Sequence, residues 1–554
     1  MTSPASENGA VREKRGPRRK RSRASLFSQG EPMVWLTGGG LVISLLMIVG
    51  LLLLVLYQGM GTFWPSDLPR FVTVDGQVVM GEVTRTERYG DEDESERLLL
   101  RTGNFDLSGE HFRWVEDGSV AERTLPPWAL VVERTEWGIF YGFPKAFVFD
   151  GEVVADDPAG IFEKYDEYHD EVTDRRERRR KLETGDVGKV NHTLEKARLA
   201  IRSAELESGK GSPAWERAIK AYEAAESRAA EEFKAIRQQI DALNRSNERY
   251  VMVMETAQGR EKEIPLDQIV RAFPANRLDH TDRAMIYVSR WIEFLADEPR
   301  EANSEGGVYP AIFGTVVMTL IMSLAVMPFG IMAALYLREY AKAGTMISIV
   351  RISINNLAGV PSIVFGVFGL GFFCYIIGAS IDQLLFAQHL PNPTYGKGGV
   401  LWAALTLALL TLPVVIVATE EGLAAVPRVV REGSLALGAT KFETIWRVVI
   451  PAARSGIVIA VMLGLGRAFG ETMLVLLVTG NAANIPELGT DIFFQPVRTM
   501  TATIASEMGE VAQGSLHYSV LFAIGIILFL FTAAINSLAT RLVGGGKRRR
   551  GSQI

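Results

Sequence analysis

The sequence predicts an α-helical polytopic membrane protein with a large mixed strand-and-helix insert on one side. Three observations carry this. Nearly half of the 554 residues are hydrophobic while over a fifth are charged, a mixture that suits membrane spans joined to a soluble part. Six stretches reach the roughly 20 mostly apolar residues that cross a bilayer: 34–58, 311–337, 357–381, 399–419, 455–480 and 516–542. Lysine and arginine, finally, are unevenly shared among the loops between those stretches.

The chain opens with a basic tail, 1–33, holding Arg12, Lys14, Arg15, Arg18, Arg19, Lys20, Arg21 and Arg23. Placed directly before a hydrophobic span, such a tail reads as a cytoplasmic anchor and not as a nucleic-acid arm. Span 34–58 is too long for a signal-peptide core, and no small-residue cleavage site follows it, so it is expected to be retained. Basic residues recur after the second span (Arg338, Lys342, Arg351), between the fourth and fifth (Arg428, Arg431, Lys441, Arg447, Arg454) and in the closing tail 544–554, with Lys547 to Arg550. The loops after the third and fifth spans carry few. This pattern predicts a multi-pass membrane protein with both termini inside.

Residues 59–305 then form one outside insert. Its first part, 65–155, alternates apolar and polar residues between Gly, Asp and Pro, as short antiparallel strands do. The part 159–250 is charged with sparse apolar positions and is split by "SGKGSP", which predicts a helical hairpin whose second arm starts at Ser212-Pro213. A return segment, 251–305, mixes strands and leads back to the membrane. Asn191-His192-Thr193 fits a glycosylation acceptor but reads as a chance match. The single cysteine, Cys374, and six scattered histidines offer no disulfide framework and no metal site. A GxxxxGK loop is absent, so ATP is not bound by that device.

Within 310–543 two stretches carry chemistry. The inside loop 420–454 is too apolar and too rich in helix formers for a plain connector. It reads as two short amphipathic helices meeting at Gly438, with Pro451 opening the next span and Glu420 and Glu421 near the membrane face. A knob of this kind can dock in a cleft of a partner, although an interfacial helix that only seats the bundle is the plainer reading. In "GLGRAFGETM", Arg467 and Glu471 stand four apart inside a span, where an ionised side chain costs roughly 2.5–3.5 kcal/mol. On one helix face they are expected to pair, and Gly466 and Gly470 to admit a neighbouring helix. The pair either fixes packing or lines a solute path.

Glu432, Gly438 and Val448-x-Ile450-Pro451 resemble the coupling loop of ABC-importer permeases. Gly433 and Ser434 stand where that motif has alanines. "INNLAGVPSIVFGVFGLGFF" (354–373), the run 405–445 and "GLGRAFGETM" (464–473) are similar to the permeases of the phosphate-specific (Pst) importer, leaning to its PstA type, with the last span as close to the PstC type. The resemblance covers about 310–542. It implies a type I ABC-importer permease fold of six helices and no enzymatic activity in this chain. It also implies ATPase coupling through Glu432, Gly433, Ser434, Ala436, Leu437, Gly438, Ala439, Thr440 and Pro451, and a phosphate path lined by Arg467, Glu471, Thr472, Asn355, Asn356 and Ser362. No cofactor is expected here, because ATP and magnesium would sit on a PstB-like ATPase subunit. The other implied partners are a second homologous permease, a periplasmic phosphate-binding protein and membrane lipid, with no nucleic acid. Two alternatives stay open: a permease for sulfate, molybdate or phosphonate, and a membrane sensor with an outer signal-binding domain.

Overall fold

The structure is a computed structural model that describes residues 31–88, 96–300, 305–483, 485 and 493–548. The basic tail before residue 31 and the last residues of the closing tail lie outside these. The chain divides into two units at Tyr57/Gln58. The first consists, as described, of most of helix α1 (Glu31–Gly61), which is apolar on every face and long enough to cross a bilayer.

The second unit begins with the insert. Strands β1 (Arg70–Thr73), β2 (Val78–Met80), β3 (Glu82–Arg88) and β4 (Glu96–Arg101) are followed by the short helix α2 (Phe105–Ser108), then β5 (Phe112–Glu116) and β6 (Val120–Thr124). They form two three-stranded sheets, β2-β1-β6 and β3-β4-β5. Next come β7 (Leu130–Arg134), β8 (Phe140–Phe149) and β9 (Glu152–Ala155), then helices α3 (Pro158–Lys181), α4 (Val187–Ser208) and α5 (Pro213–Asn247), and strands β10 (Tyr250–Glu255), β11 (Glu261–Pro265) and β12 (Ile269–Pro274). The order β11-β10-β8-β7-β12, with β9 also on β8, is antiparallel throughout. The return segment therefore completes the sheet begun by β7 and β8, and the helices are an excursion from one strand domain.

Both ends of that excursion are capped as their sequences demand. Asp157 accepts the N–H of Gly160 at the start of α3, with Pro158 as first residue. Ser212 accepts that of Trp215 before α5, with Pro213 in the same role. Ile161, Tyr165 and Val172 of α3 bury one face against Phe140, Phe147, Met252 and Ile264 of the sheet.

Helix α6 (His280–Ala296), opened by an Asp279/Asp282 capping box, and the strand pair β13 (Pro299–Arg300) and β14 (Glu305–Gly306) lead back to the membrane. There follow α7 (Tyr309–Leu335), α8 (Thr345–Ala358), α9 (Ser362–Gly369), α10 (Ala379–Leu385), α11 (Val400–Ala424), α12 (Arg428–Ala436), α13 (Lys441–Thr444), α14 (Ile450–Phe469), α15 (Met473–Val478), α16 (Met500–Glu507) and α17 (Leu516–Arg548). Among the described residues six helices are long and apolar enough to span: Met33–Gly61, Tyr309–Tyr340, Ser362–Leu385, Val400–Ala424, Lys441–Phe469 and Leu516–Arg541.

Five of these lie close to the stretches expected from sequence. The fifth does not. The expected 455–480 is replaced by a helix that starts fourteen residues earlier, at Lys441, and stops at Phe469. The apolar run continues to Val478, but the chain breaks at Gly470 and restarts as α15.

Helix α11 is the hub. Trp402, Ala403, Leu407, Leu410 and Val415 pack on Met318, Met322 and Val326 of α7, Phe365 of α9, and Leu474, Val475 and Val478 of α15. Its crossing with α14 is set by two glycines: a Cβ on Gly456 would lie 2.5 Å from the Gly422 Cα. Backbones pass that closely only where both side chains are absent. The hydroxyls of Thr315, Thr319 and Ser323 along α7 donate to carbonyls four residues back, at 2.6–2.7 Å, so these buried groups are satisfied within their own helix. The fully buried Asp382 carboxylate of α10 accepts the N–H groups of Thr394, Tyr395 and Gly396 and locks the loop before α11.

Candidate functional site: the coupling hairpin and the broken fifth span

The inside loop folds as a helical hairpin. Helix α12 ends at Ala436, with Leu437 as its C-cap, and Gly438 turns the chain at φ +88°, a conformation that glycine adopts without steric cost. Thr440 then caps α13 in a reciprocal box with Glu443: the Thr440 hydroxyl accepts the Glu443 N–H at 3.2 Å, and the Glu443 carboxylate accepts the Thr440 N–H at 3.0 Å. The Ser434 and Thr444 hydroxyls meet at 3.0 Å and tie the two arms together. Gly433 meets nothing where a Cβ would stand, so an alanine would fit equally there. Ala436 and Glu432 are exposed, and Ala439 donates its N–H to the Ser434 carbonyl.

What the hairpin presents is apolar. Leu437, at the turn, is 90% exposed, and the exposed rings of Phe442 and Trp446 stack nearly parallel, with centroids 6.3 Å apart. Behind this tip Arg431 anchors the hairpin to the bundle. Its guanidinium pairs with Glu339 at 3.0 Å and donates to the Leu423 carbonyl at 2.6 Å. Arg351 of α8 pairs with Glu420 of α11 at 3.0 Å, which makes Glu420 a bundle residue, whereas Glu421 is exposed.

Pro451 does not open the span. The helix runs without interruption from Lys441 through a widened turn, Ile445–Val449, into α14. Proline cannot donate to the carbonyl one turn back, and a widened turn is one way a helix absorbs this. The hairpin tip and the residues near Phe469 therefore lie on one rod. From Lys441 to Arg467 it measures roughly 40 Å at 1.5 Å per residue.

At the far end of the rod the expected Arg467–Glu471 ion pair is not formed. Arg467 is in the last turn of α14, the helix stops at Phe469, and Glu471 stands in the break, so the one-turn relation between them is lost. Both are half-buried, and among the described residues neither side chain has an ion-pair partner. Gly466 and Gly470 admit no neighbouring helix either: a Cβ on Gly466 would meet nothing, and one on Gly470 only its own preceding turn. The close crossing is at Gly422 and Gly456 instead. Thr472 sits at the N-cap of α15 without capping it.

Two elements line up beside the break. Helix α9, which Ser362 begins, packs on α15 with Gly366 against Leu474 and Leu477. The buried α16 is the one that sequence reasoning missed. Its Thr501 hydroxyl donates to the Glu471 carbonyl at 2.7 Å, and the Met500 N–H donates to the Thr315 hydroxyl of α7 at 3.0 Å. An uncharged run, Met500–Ser506, inside an otherwise polar outer loop was the available signal. Asn355 and Asn356 end α8, which packs on α11, and both are exposed. Ser362 and Thr472 thus stand at the starts of two helices that pack on each other, α9 and α15, while Asn355 and Asn356 are exposed on α8.

Residues 326–545 match the family described as binding-protein-dependent transport system inner membrane component. The chain is 36% identical over 256 residues to the phosphate transport system permease protein PstC of Mesorhizobium japonicum, covering 44% of this chain and 76% of that one. It is 33% identical over 257 residues to the probable ABC transporter permease protein YqgH of Bacillus subtilis, covering 45% and 78%. It is also 34% identical over 245 residues to the phosphate transport system permease protein PstA 1 of Mycobacterium tuberculosis, covering 44% and 73%. Among solved structures, the inward-facing MetNI methionine ABC transporter aligns with 43% of this chain at 17% identity and a TM-score of 0.34.

Proposed function

We propose that this chain, which belongs to the family of inner-membrane components of binding-protein-dependent transport systems, forms half of the path of an ATP-driven importer of inorganic phosphate. The observation that carries the mechanism is the single helix joining the exposed Phe442 and Trp446, beside the Leu437 turn, to the half-buried Arg467. An apolar tip held rigid by a capping box, an Arg431 anchor and a Ser434–Thr444 contact suits insertion into a cleft of an ATPase subunit. When that subunit closes, the rod carries the displacement to the break at Gly470. The chain itself hydrolyses nothing.

Arg467 is the natural group for the anion. A guanidinium donates two hydrogen bonds in a planar fork that fits an oxyanion. Without a carboxylate partner among the described residues, its charge in a membrane span is unfavourable until an anion or water reaches it. Glu471, close by in the break, keeps the site from holding a dianion too tightly. A path built from two halves leaves its lining exposed in each half alone, which accounts for Asn355, Asn356 and the outward apolar face of α9 (Ile363, Val364, Val367). These would meet a second, homologous permease. The loop charges favour both termini inside and the insert outside, where it would adjoin the periplasmic binding protein.

The test is uptake of labelled phosphate by proteoliposomes containing this chain with its ATPase, second permease and binding protein. Uptake that requires ATP and persists in excess sulfate is expected. Uptake abolished by sulfate, or absent with phosphate while sulfate enters, would assign the chain to another oxyanion.

A further inference from the structure

Helix α6 is inside out. Its charged residues point inward: Arg283 pairs with Asp67, Arg290 with Glu133, and Glu293 with Arg271 and Arg300. Its exposed positions after His280 are Thr281, Ala284, Met285, Val288, Ser289, Ile292, Leu295 and Ala296, one helical face without a charge. Met285, Val288, Ile292 and Leu295 are between 43% and 61% exposed. A helix facing water normally carries the opposite pattern.

The rest of the helix fixes its height. The Tyr287 hydroxyl donates to the Met60 carbonyl at 2.9 Å. Phe294 and Trp291 pack among Phe63, Val308, Ala311 and Leu521, the outer ends of the first, second and sixth spans. Trp64 and Tyr287 meet beside them with tilted rings, centroids 5.6 Å apart. Aromatic residues clustered at span ends mark the boundary between lipid and water. On its other side Ile286 packs on the insert core. The free face is thus continuous with the lipid-facing surface of the spans.

We propose that α6 lies in the outer headgroup region, with Met285, Val288, Ile292 and Leu295 inserted toward the acyl chains, so that the bilayer itself holds the insert at a set height and tilt over the path. Charges turned inward bind the helix to β7 and β12, and lipid covers the remaining face.

The experiment uses the full chain in lipid nanodiscs, with Cys374→Ala and single spin-labelled cysteines at Val288, Ile292 and, as an aqueous reference, Lys220 on the hairpin. Relaxation by oxygen and by a water-soluble nickel chelate is compared at each position. A ratio favouring oxygen at 288 and 292, and nickel at 220, is expected. Nickel dominating at 288 and 292 would show a water-exposed face. Low accessibility to both reagents there would show a face covered by protein, whether a second copy or a partner. Either result overturns the proposal.

Discussion

Arg467 and Glu133 show two ways of keeping a charge out of bulk water. Glu133, buried on β7, receives Arg290 of α6 at 2.8 Å and also pairs with Arg271 of β12; Arg271 in turn reaches Glu293 at 2.9 Å. Burial alone would raise the Glu133 carboxyl, and the two guanidiniums more than offset it, so the group stays ionised and its pKa is lowered. Its stabilising contribution is therefore complete above the ordinary carboxylate value of about 4.3 and is lost as pH falls through the lower folded value. Removing one partner of a buried network typically costs about 3–5 kcal/mol. Glu133→Gln is accordingly expected to speed amide hydrogen exchange in β7 and β12 at pH 7, with the gap to the wild type narrowing as pH approaches 3. An unchanged exchange rate at pH 7 would mean that the network contributes little. Arg467 has no such cage among the described residues, and on the proposed reading its charge is left for a visitor.

The coupling hairpin is an element designed around its ends: a glycine at positive φ, a capping box and an arginine anchor. Its proposed docking surface is the exposed Leu437, Phe442 and Trp446. Leu437→Asp is expected to weaken association with the ATPase subunit by at least about 2 kcal/mol, roughly thirtyfold in affinity, measured by co-purification and titration. The spans around the bundle should stay intact, because nothing packs on that side chain; unchanged affinity would place docking elsewhere. Much of this element was legible in sequence, since Gly438 and the Thr440/Glu443 spacing carry local chemistry. The helical hairpin of the insert was legible for the same reason, through Ser212-Pro213. The break at Gly470 was not: the apolar run passes straight through Phe469 to Val478 without a proline, and hydropathy alone cannot see where a helix stops. That is why Arg467 and Glu471 were expected to pair. The closure of β8 on β10 escaped too, because residues 140–149 and 250–255 are joined by a pairing some hundred residues apart in the chain. Helix α16 is short and threonine-rich, a composition shared by loops.

At the scale of the molecule, three parts meet: a strand domain with a helical excursion, a bundle centred on α11, and a rod that begins at the hairpin and ends beside the break. The rod crosses α11 at Gly422 and Gly456, where the two backbones are in close contact. Substrate handling and ATPase docking are then separable properties at opposite ends of one helix. The measurement that tests this most directly is ATP hydrolysis and phosphate uptake recorded together in proteoliposomes of the whole transporter, with Arg467→Gln beside the wild type. The account expects phosphate uptake to fall at least about tenfold, the loss of one charge-assisted interaction, while the complex assembles and continues to hydrolyse ATP. Wild-type uptake in the Arg467→Gln transporter would contradict it and reduce the arginine to a packing residue.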